Sequence, residues 1–392
     1  MNGSNPQPAS LLVLGPVTFS LYVDAYYAWQ FNQPTDHTIF PTTVAPRHNE
    51  ISLNFAHIGF DVTGLDGPTG RFYLQYGSIV ETIAGQDTTT SRGFFLTNRL
   101  LQNIEQAAAG WHFHALHGIN TEIGIFPSYV GLESYLPEEN WSYTHAFVAD
   151  ATPYYFFGLR GQIFLSQRFK LELWAVNGWQ TFGEWHEAKS GGYLWNWRPN
   201  EWLSLVNSAY AGQEVQGDPD SLRLYTDNDI QVRYYKAKEG SRFLRSLAFS
   251  LVGDVGWEHR GNAPSGPMAG VSLSHRFDWT ERWKSTLRAD YLYDETQAIS
   301  PKFPVGSAYP WKATNPFRAG GLTATLDFWP SPWLLTRLEY AHRIANQPIF
   351  SGSGGITGPG GEVPTSPTAA AAFTPDLRNT DDRILLNVTL RL

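Results

Sequence analysis

The residues with the most chemical potential in this chain are charges set at every second position between apolar neighbours. Arg276 and Asp278 stand opposite Ala269, Val271, Leu273 and Phe277 in one stretch, and Asp254 and Glu258 stand opposite Leu247, Phe249, Leu251, Val255 and Trp257 in another. Asp24 lies across from Leu21, Val23, Ala25 and Tyr27, and Arg383 across from Ile384, Leu386 and Val388. The same rule applied to neighbouring stretches adds Glu50, Arg71, His112, His114, Glu122, Arg160, Glu172 and Arg233. Further along it adds Arg288, Asp290, Asp327, Arg337 and Glu339. Side chains two apart on an extended chain share a face, so each set makes a polar face whose charges must meet water or one another. Both signs are well represented. Many of these charges are expected to pair across neighbouring strands, and the unpaired remainder to set a field across the space they enclose.

Other chemistries have weaker support. His112 and His114 have a spacing that can hold a metal, but no nearby carboxylate completes a ligand set, so a solvated pair without metal is expected. Ser142 and His145 lie close together without the strained elbow that presents a nucleophile. A glycosidase needs two chosen carboxylates, and spacing singles out none of the 36 acids. Zero cysteines exclude disulfides and thiol catalysis. A net charge of -8 without a Lys/Arg block excludes nucleic acid as a partner. The expectation is no enzyme and no cofactor.

The elements that would position these charges are strands. Period-two alternation recurs in sixteen segments, among them 18–30, 47–62, 70–83, 103–115, 120–127, 191–198, 222–236, 266–278, 283–294 and 382–392. The segment 47–62 changes phase between Phe55 and Ile58, as a bulge would produce. Aromatic residues make up 15% and charged residues only 16%, against about 25% charged in soluble domains. No apolar run is long enough for a membrane helix. A charge facing lipid near the midplane costs about 2–4 kcal/mol for Arg or Lys, which turns the charged faces inward. Every second connection is short, around 64–69, 116–119, 167–168, 199–201, 237–243, 279–282 and 329–332. The others, 31–46, 84–102, 128–154, 179–190, 212–221, 295–316 and 345–381, are longer, with 260–265 the exception. Sorting of loops by parity is the mark of a bacterial barrel, with periplasmic turns and extracellular loops. Trp202, Trp279, Trp283, Trp329 and Trp333 gather at the short-turn end, and Tyr26, Tyr27, Trp29, Trp179 and Trp257 near the other, as interfacial girdles do. The fold expected is an all-β, transmembrane antiparallel barrel of about 16 strands. Residues 17–392 form it as one domain in contact with outer-membrane lipid, and 1–16 form a periplasmic extension. Residues 1–10 are polar with no basic n-region before an apolar stretch, so the chain is read as a mature form with its signal peptide removed and a start Met added.

Several stretches resemble the β-barrel porin-2 (OmpL-like) family of outer-membrane porins. They are YVDAYYAWQFNQP at 22–34, RHNEISLNFAHIGFD at 47–61, GRFYLQYGS at 70–78, ATPYYFFGLRGQIFLS at 151–166 and LELWAVNGWQ at 171–180. GIFPSYVGLES at 124–134 is similar to the family's segment entering the third long loop, with Ile125 where a basic residue is expected. The chain ends in Leu392, where such barrels usually end in an aromatic, but the alternation of the last strand survives. The resemblance implies a single-domain barrel with porin-like function and no catalytic residues.

The third long loop, 128–154, carries Glu133, Glu138, Glu139, Trp141 and Asp150. By analogy with 16-stranded porins it is the leading candidate to fold inward and constrict the lumen, facing Arg160, Arg71 and Arg337. Passive diffusion of small polar solutes and ions, with weak ion preference, is the leading reading. Two alternatives are a substrate-specific channel with Tyr22, Tyr26, Tyr73 and Tyr235 as a sugar slide, and a plugged adhesive barrel. A homo-oligomer is possible, with no interface stripe singled out. The Gly/Pro-rich part of 345–381 is a low-complexity loop and a poor filter.

Overall fold

A computed structural model describes residues 13–63, 66–84, 87, 101–183, 188–215, 217–238, 243–261, 264–299, 316–358, 361 and 373–392. Sixteen long strands run in sequence, each antiparallel to the next. The first eight are β1 Val17–Gln30, β2 Ile51–Val62, β3 Pro68–Tyr76, β4 Ile104–Phe113, β5 Ile119–Pro127, β6 Tyr155–Ser166, β7 Phe169–Val176 and β8 Ser190–Asn200. The rest are β9 Leu203–Gly212, β10 Leu222–Lys236, β11 Ser246–His259, β12 Gly266–Asp278, β13 Trp283–Asp294, β14 Phe317–Ser331, β15 Leu334–Ala345 and β16 Thr380–Arg391. β16 pairs with β1 from Arg383↔Gln30 to Arg391↔Tyr22, which closes the sheet. Hydrocarbon requires this, because an open edge would leave a row of N–H and C=O groups without partners.

Burial is inverted relative to a water-soluble fold. Along β10, Arg223, Tyr225, Asp227, Asp229 and Gln231 are buried, while Leu222, Leu224, Asn228 and Ile230 are exposed. The same alternation puts Leu322 and Leu326 of β14 outside and Thr323, Thr325 and Asp327 inside. Aromatics ring the short-turn end: Phe277 stacks on Trp279 at 5.4 Å between centroids, and Trp283 on Phe328 at 4.4 Å. Tight turns use local acceptors; at 201–202 the Asn200 carboxamide oxygen accepts the N–H groups of Trp202 and Leu203.

The structure departs from the sequence reading in three places. The segment 70–83 is a strand only to Tyr76, and Ser78–Ala84 is a helix, α1. Ile79, Val80 and Ile83 are buried on one side of it, a helical spacing that a period-two reading mistakes for strand. Gly77 makes the change of direction at φ 124°, where a Cβ would lie 2.4 Å from the Asn54 carbonyl oxygen. The segment 47–62 starts only at Ile51, and its phase change is a bulge at Asn54: Asp24 pairs with Phe55 and Ala25 with Leu53. Segment 103–115 ends at Phe113. Of the N-terminal extension, residues 1–12 lie outside the described residues, and Val13–Leu14 pairs back on Val17–Thr18. Most of 84–102 and 295–316, and the Gly/Pro-rich part of 345–381, also lie outside the described residues.

Candidate functional site: the inner wall and the third loop

The alternation that builds the strands delivers charged side chains to the barrel interior, and loop 128–154 meets them there. Pro127 ends β5, and the loop's two ends are tied by a 3.0 Å hydrogen bond from Ser128 N–H to the Tyr154 carbonyl. Between them come a 3₁₀ turn, Pro137–Glu139, and a short helix α2, Phe147–Asp150. So short a helix leaves most of the loop's peptide groups unpaired from within, and buried peptide groups need partners. The wall supplies them. Glu339 accepts the N–H groups of Tyr143 at 2.6 Å and Thr144 at 2.9 Å. Asp290 accepts Phe147 N–H at 3.0 Å, Arg288 donates to the Thr144 carbonyl, and Arg337 donates to the carbonyls of Pro137 and Asn140, each at 3.0 Å.

The loop's charged side chains are matched as well. Glu133 lies 3.3 Å from Arg288, Glu139 3.2 Å and Glu138 3.8 Å from Arg391, and Asp150 3.3 Å from Arg343. Trp141 lies against the Arg276 guanidinium at 5.6 Å. Asp150 also accepts from Thr43 at 2.6 Å and Tyr154 at 3.0 Å. Burial alone would raise its pKa, but the His145 hydrogen bond and the Arg343 charge outweigh this and hold it at about 2. Burial pushes Glu133 up instead, against the counter-pull of Arg288. It also keeps the Tyr143 hydroxyl well above its ordinary value, with Asp24 adding to the effect. That hydroxyl donates to Asp24 at 2.8 Å. Asp24 also accepts from Asn54 of β2 and from Asn387 and Thr389 of β16, each at 2.9 Å, so one carboxylate joins the first strand, the last strand and the loop.

The wall on the other side pairs within itself. Glu122 and Arg160 are cross-strand partners and form an ion pair, and Arg71 reaches Glu122 at 2.9 Å over Ala108 and Gly110 of β4. Arg71 and Arg160 therefore do not meet the loop's acids as expected; of the three arginines named, only Arg337 touches the loop, and it binds carbonyls. Glu172 takes Gln162 at 2.8 Å and Lys170 at 2.5 Å. Arg71 at 26% and Lys170 at 30% keep some exposure, whereas Glu122 and Glu172 are at 2% and 5%; Arg233, at the end of β10, pairs with Glu201 at 2.7 Å, and there the acid is the more exposed member. On β12–β16, by contrast, Arg276, Asp327, Arg337, Glu339 and Arg383 are all buried.

Residues 16–374 of the chain match the family described as putative beta-barrel porin-2, OmpL-like. The chain belongs to this porin family. No curated protein matches it. Solved structures share the fold of this porin at low identity. The anion-selective porin from Comamonas acidovorans is 9% identical, with a TM-score of 0.59 over 96% of this chain and 99% of that one. OmpT of Vibrio cholerae, in-vitro folded, is 9% identical, with a TM-score of 0.54 over 98% and 100%. The outer membrane channel DcaP of Acinetobacter baumannii is 9% identical, with a TM-score of 0.53 over 96% and 97%.

Other expectations fare unevenly in the porin. Glu50 sits before β2 and pairs with Arg47 at 2.7 Å, and His114 sits in the turn after β4 against Asp66 at 2.8 Å, so neither is on a strand's inner face. His112 bonds Asn120 at 2.7 Å, and among the described residues no group of three or more His, Cys, Asp or Glu is placed to hold a metal. Tyr22, Tyr26 and Tyr73 are buried, and Tyr235 is turned outward by the register shift after Arg233, so the four do not form an aromatic track. Arg223 and Asp227 were missed although they share Arg233's parity; Arg223 pairs with Glu258 at 2.7 Å, and Asp227 faces Asp254 across the ladder. Also missed was a buried chain in which Glu105 lies 2.7 Å from His57 Nδ1 and Ser20 3.3 Å from Nε2. Its order matches a nucleophile, base and acid, but Ser20 stands inside a regular strand and not on a turn that aims backbone donors at a carbonyl.

Proposed function

We propose that this outer-membrane porin passes small polar solutes and ions through a water-filled lumen narrowed by loop 128–154. The supporting observation is the loop's seat: Glu339, Asp290, Arg288 and Arg337 bind its backbone from the inner wall. The passage then runs on the side of β3–β7, where the Arg71 and Lys170 side chains keep some exposure. Asp24, Asp254, Arg233 and the Glu122 and Glu172 clusters belong to its wall or to the packing behind it. Paired charges nearly cancel, which favours weak ion selectivity. The cation is the more exposed member in the pairs of Arg71 and Lys170, so the residual preference is for anions. Planar-bilayer recording tests this: the reading requires ohmic channels with a modest anion-ward reversal potential in a salt gradient. A folded barrel that conducts nothing would refute it in favour of a plugged one.

A further inference from the structure

At the long-loop end of the barrel interior lies a recess of about 370 Å³, counted to its open mouth. Its lining includes Gln75 of β3, Glu105 of β4, Tyr135 and Tyr154 of the third loop, Tyr155 of β6 and Phe182 of the loop after β7. They meet there because strand gives way to loop at each: Gln75 is next to last in β3, Glu105 second in β4 and Tyr155 first in β6. The rings are fixed against one another. Tyr155 and Phe182 stack at 4.3 Å between centroids, and Tyr135 and Tyr154 meet edge to face at 6.2 Å. All three hydroxyls already have acceptors: Tyr135 donates to Gln75 Oε1 at 2.7 Å, Tyr154 to Asp150 at 3.0 Å and Tyr155 to Asp87 at 2.8 Å. What they leave to the recess is ring carbon. Glu105 is the one charged residue of the lining, and it is buried. Its partners are His57 Nδ1 at 2.7 Å and the Gln106 side-chain amide at 3.3 Å, and no arginine or lysine pairs with it among the described residues. His57 needs no charge for this bond, since Nδ1–H can donate to Glu105 while Nε2 accepts from Ser20 at 3.3 Å.

We propose that this recess binds a small organic cation of the methylated-ammonium class, held against the aromatic rings beside Glu105. An aromatic ring presents a negative face, and a cation lying over it is attracted most strongly where water is excluded. Tyr154 and Tyr155 donate their hydroxyls to carboxylates, which makes their rings richer in electrons still. Glu105 adds a full negative charge that no arginine or lysine offsets. Other ligand classes fit worse. A hard metal ion needs several oxygen ligands, and the lining has one carboxylate. An anion would meet Glu105 and no cation. A sugar would need the polar partners that the tyrosine hydroxyls have already given to other residues. The inference goes beyond the channel reading and does not rest on it.

Isothermal titration calorimetry on the purified barrel in a maltoside detergent tests this, with choline chloride as the probe. Saturable heat from a single site per chain is expected. Choline's uncharged isostere, with a tert-butyl group in place of the trimethylammonium, should bind at least about tenfold more weakly. Glu105→Gln and Phe182→Leu should each weaken choline binding by about tenfold, with the circular dichroism of the barrel unchanged. Phe182 stands in a loop, so its variant still reads the recess if loss of the Glu105–His57 contact disturbs the wall. No saturable heat, equal binding of the uncharged isostere, or full affinity in either folded variant would overturn the proposal. Heat is read without conductance, so failure here leaves the channel reading standing, and a barrel that conducts nothing leaves this site standing.

Discussion

Two stretches of the same inner wall use the same kinds of residue in opposite ways. On β12–β16, Arg288, Arg337, Asp290 and Glu339 direct donors and acceptors at the peptide groups of loop 128–154, and they are buried by it. On β3–β7, Arg71, Arg160, Glu122, Lys170 and Glu172 bind one another and leave their cations partly in water. Composition does not separate the two stretches, since both are alternating strands with mixed charge. The difference lies in what faces them. A strand charge with a complementary charge on the next strand is satisfied locally and keeps the wall free. One whose unused donors meet a loop with unpaired carbonyls becomes an anchor.

The comparison can be broken most strongly by removing the loop. Deletion of 135–147 takes no ladder hydrogen bond from the barrel, so it should leave the fold intact and raise single-channel conductance several-fold. Unchanged conductance in a folded deletion would mean that the anchored side is no narrower than the open side. Next in size is Glu339→Ala, which strands the Tyr143 and Thr144 N–H groups together; at about 1–3 kcal/mol for each buried unmet donor, the loop should loosen. Limited proteolysis at 135–147, together with larger and noisier conductance, would report it. The open side gives a smaller and different effect. Glu122→Gln frees Arg71 and Arg160 without touching the loop, so reversal potentials should move toward anions at nearly constant conductance. A conductance change there as large as that of Glu339→Ala would erase the distinction between the two stretches.

The smallest effect is set by pH. The pKa of Asp150 is lowered, so its contribution to anchoring is present above the ordinary carboxylate range and is lost as pH falls from about 4 through about 2. A shift from 3.8 to about 2 corresponds to about 2–3 kcal/mol for this buried group. Glu133 acts with the opposite sign: its pKa is raised, so acidification favours the folded form as it protonates and cannot account for loosening. Conductance should therefore rise only below pH 4, and Asp150→Asn should remove that rise. A rise beginning near neutral pH would assign the anchoring to another group.

Long unbroken alternation made much of the barrel legible. The segments 222–236, 266–278 and 283–294 coincide with Leu222–Lys236, Gly266–Asp278 and Trp283–Asp294, because nearly every second residue there is an apolar one on the outer face. Legibility failed where that commitment lapses. Ile79, Val80 and Ile83 are apolar for a helix packed inside the barrel mouth, and Glu50 and His114 keep the parity of strands that have already ended. The site was legible as a list of inward charges and as one loop, but not as partners. Arg337 and the Asn140 carbonyl are 197 residues apart, and no local spacing encodes that contact. Arg71 was assigned to the loop when two small residues, Ala108 and Gly110, let it cross β4 to Glu122.

The carboxylate of Asp24 also bears on the order in which the molecule is made. Its partners come from β2, from the loop after β5 and from β16, and Tyr143 spans from it to Glu339 on β15. Until the last strand has arrived beside the first, half of that seat does not exist. The loop, though synthesised in the first half of the chain, can find its resting place only after the final residues are in position. A seated loop is thus a record of completed closure, and a barrel caught with its seam open would be one whose interior is still unobstructed.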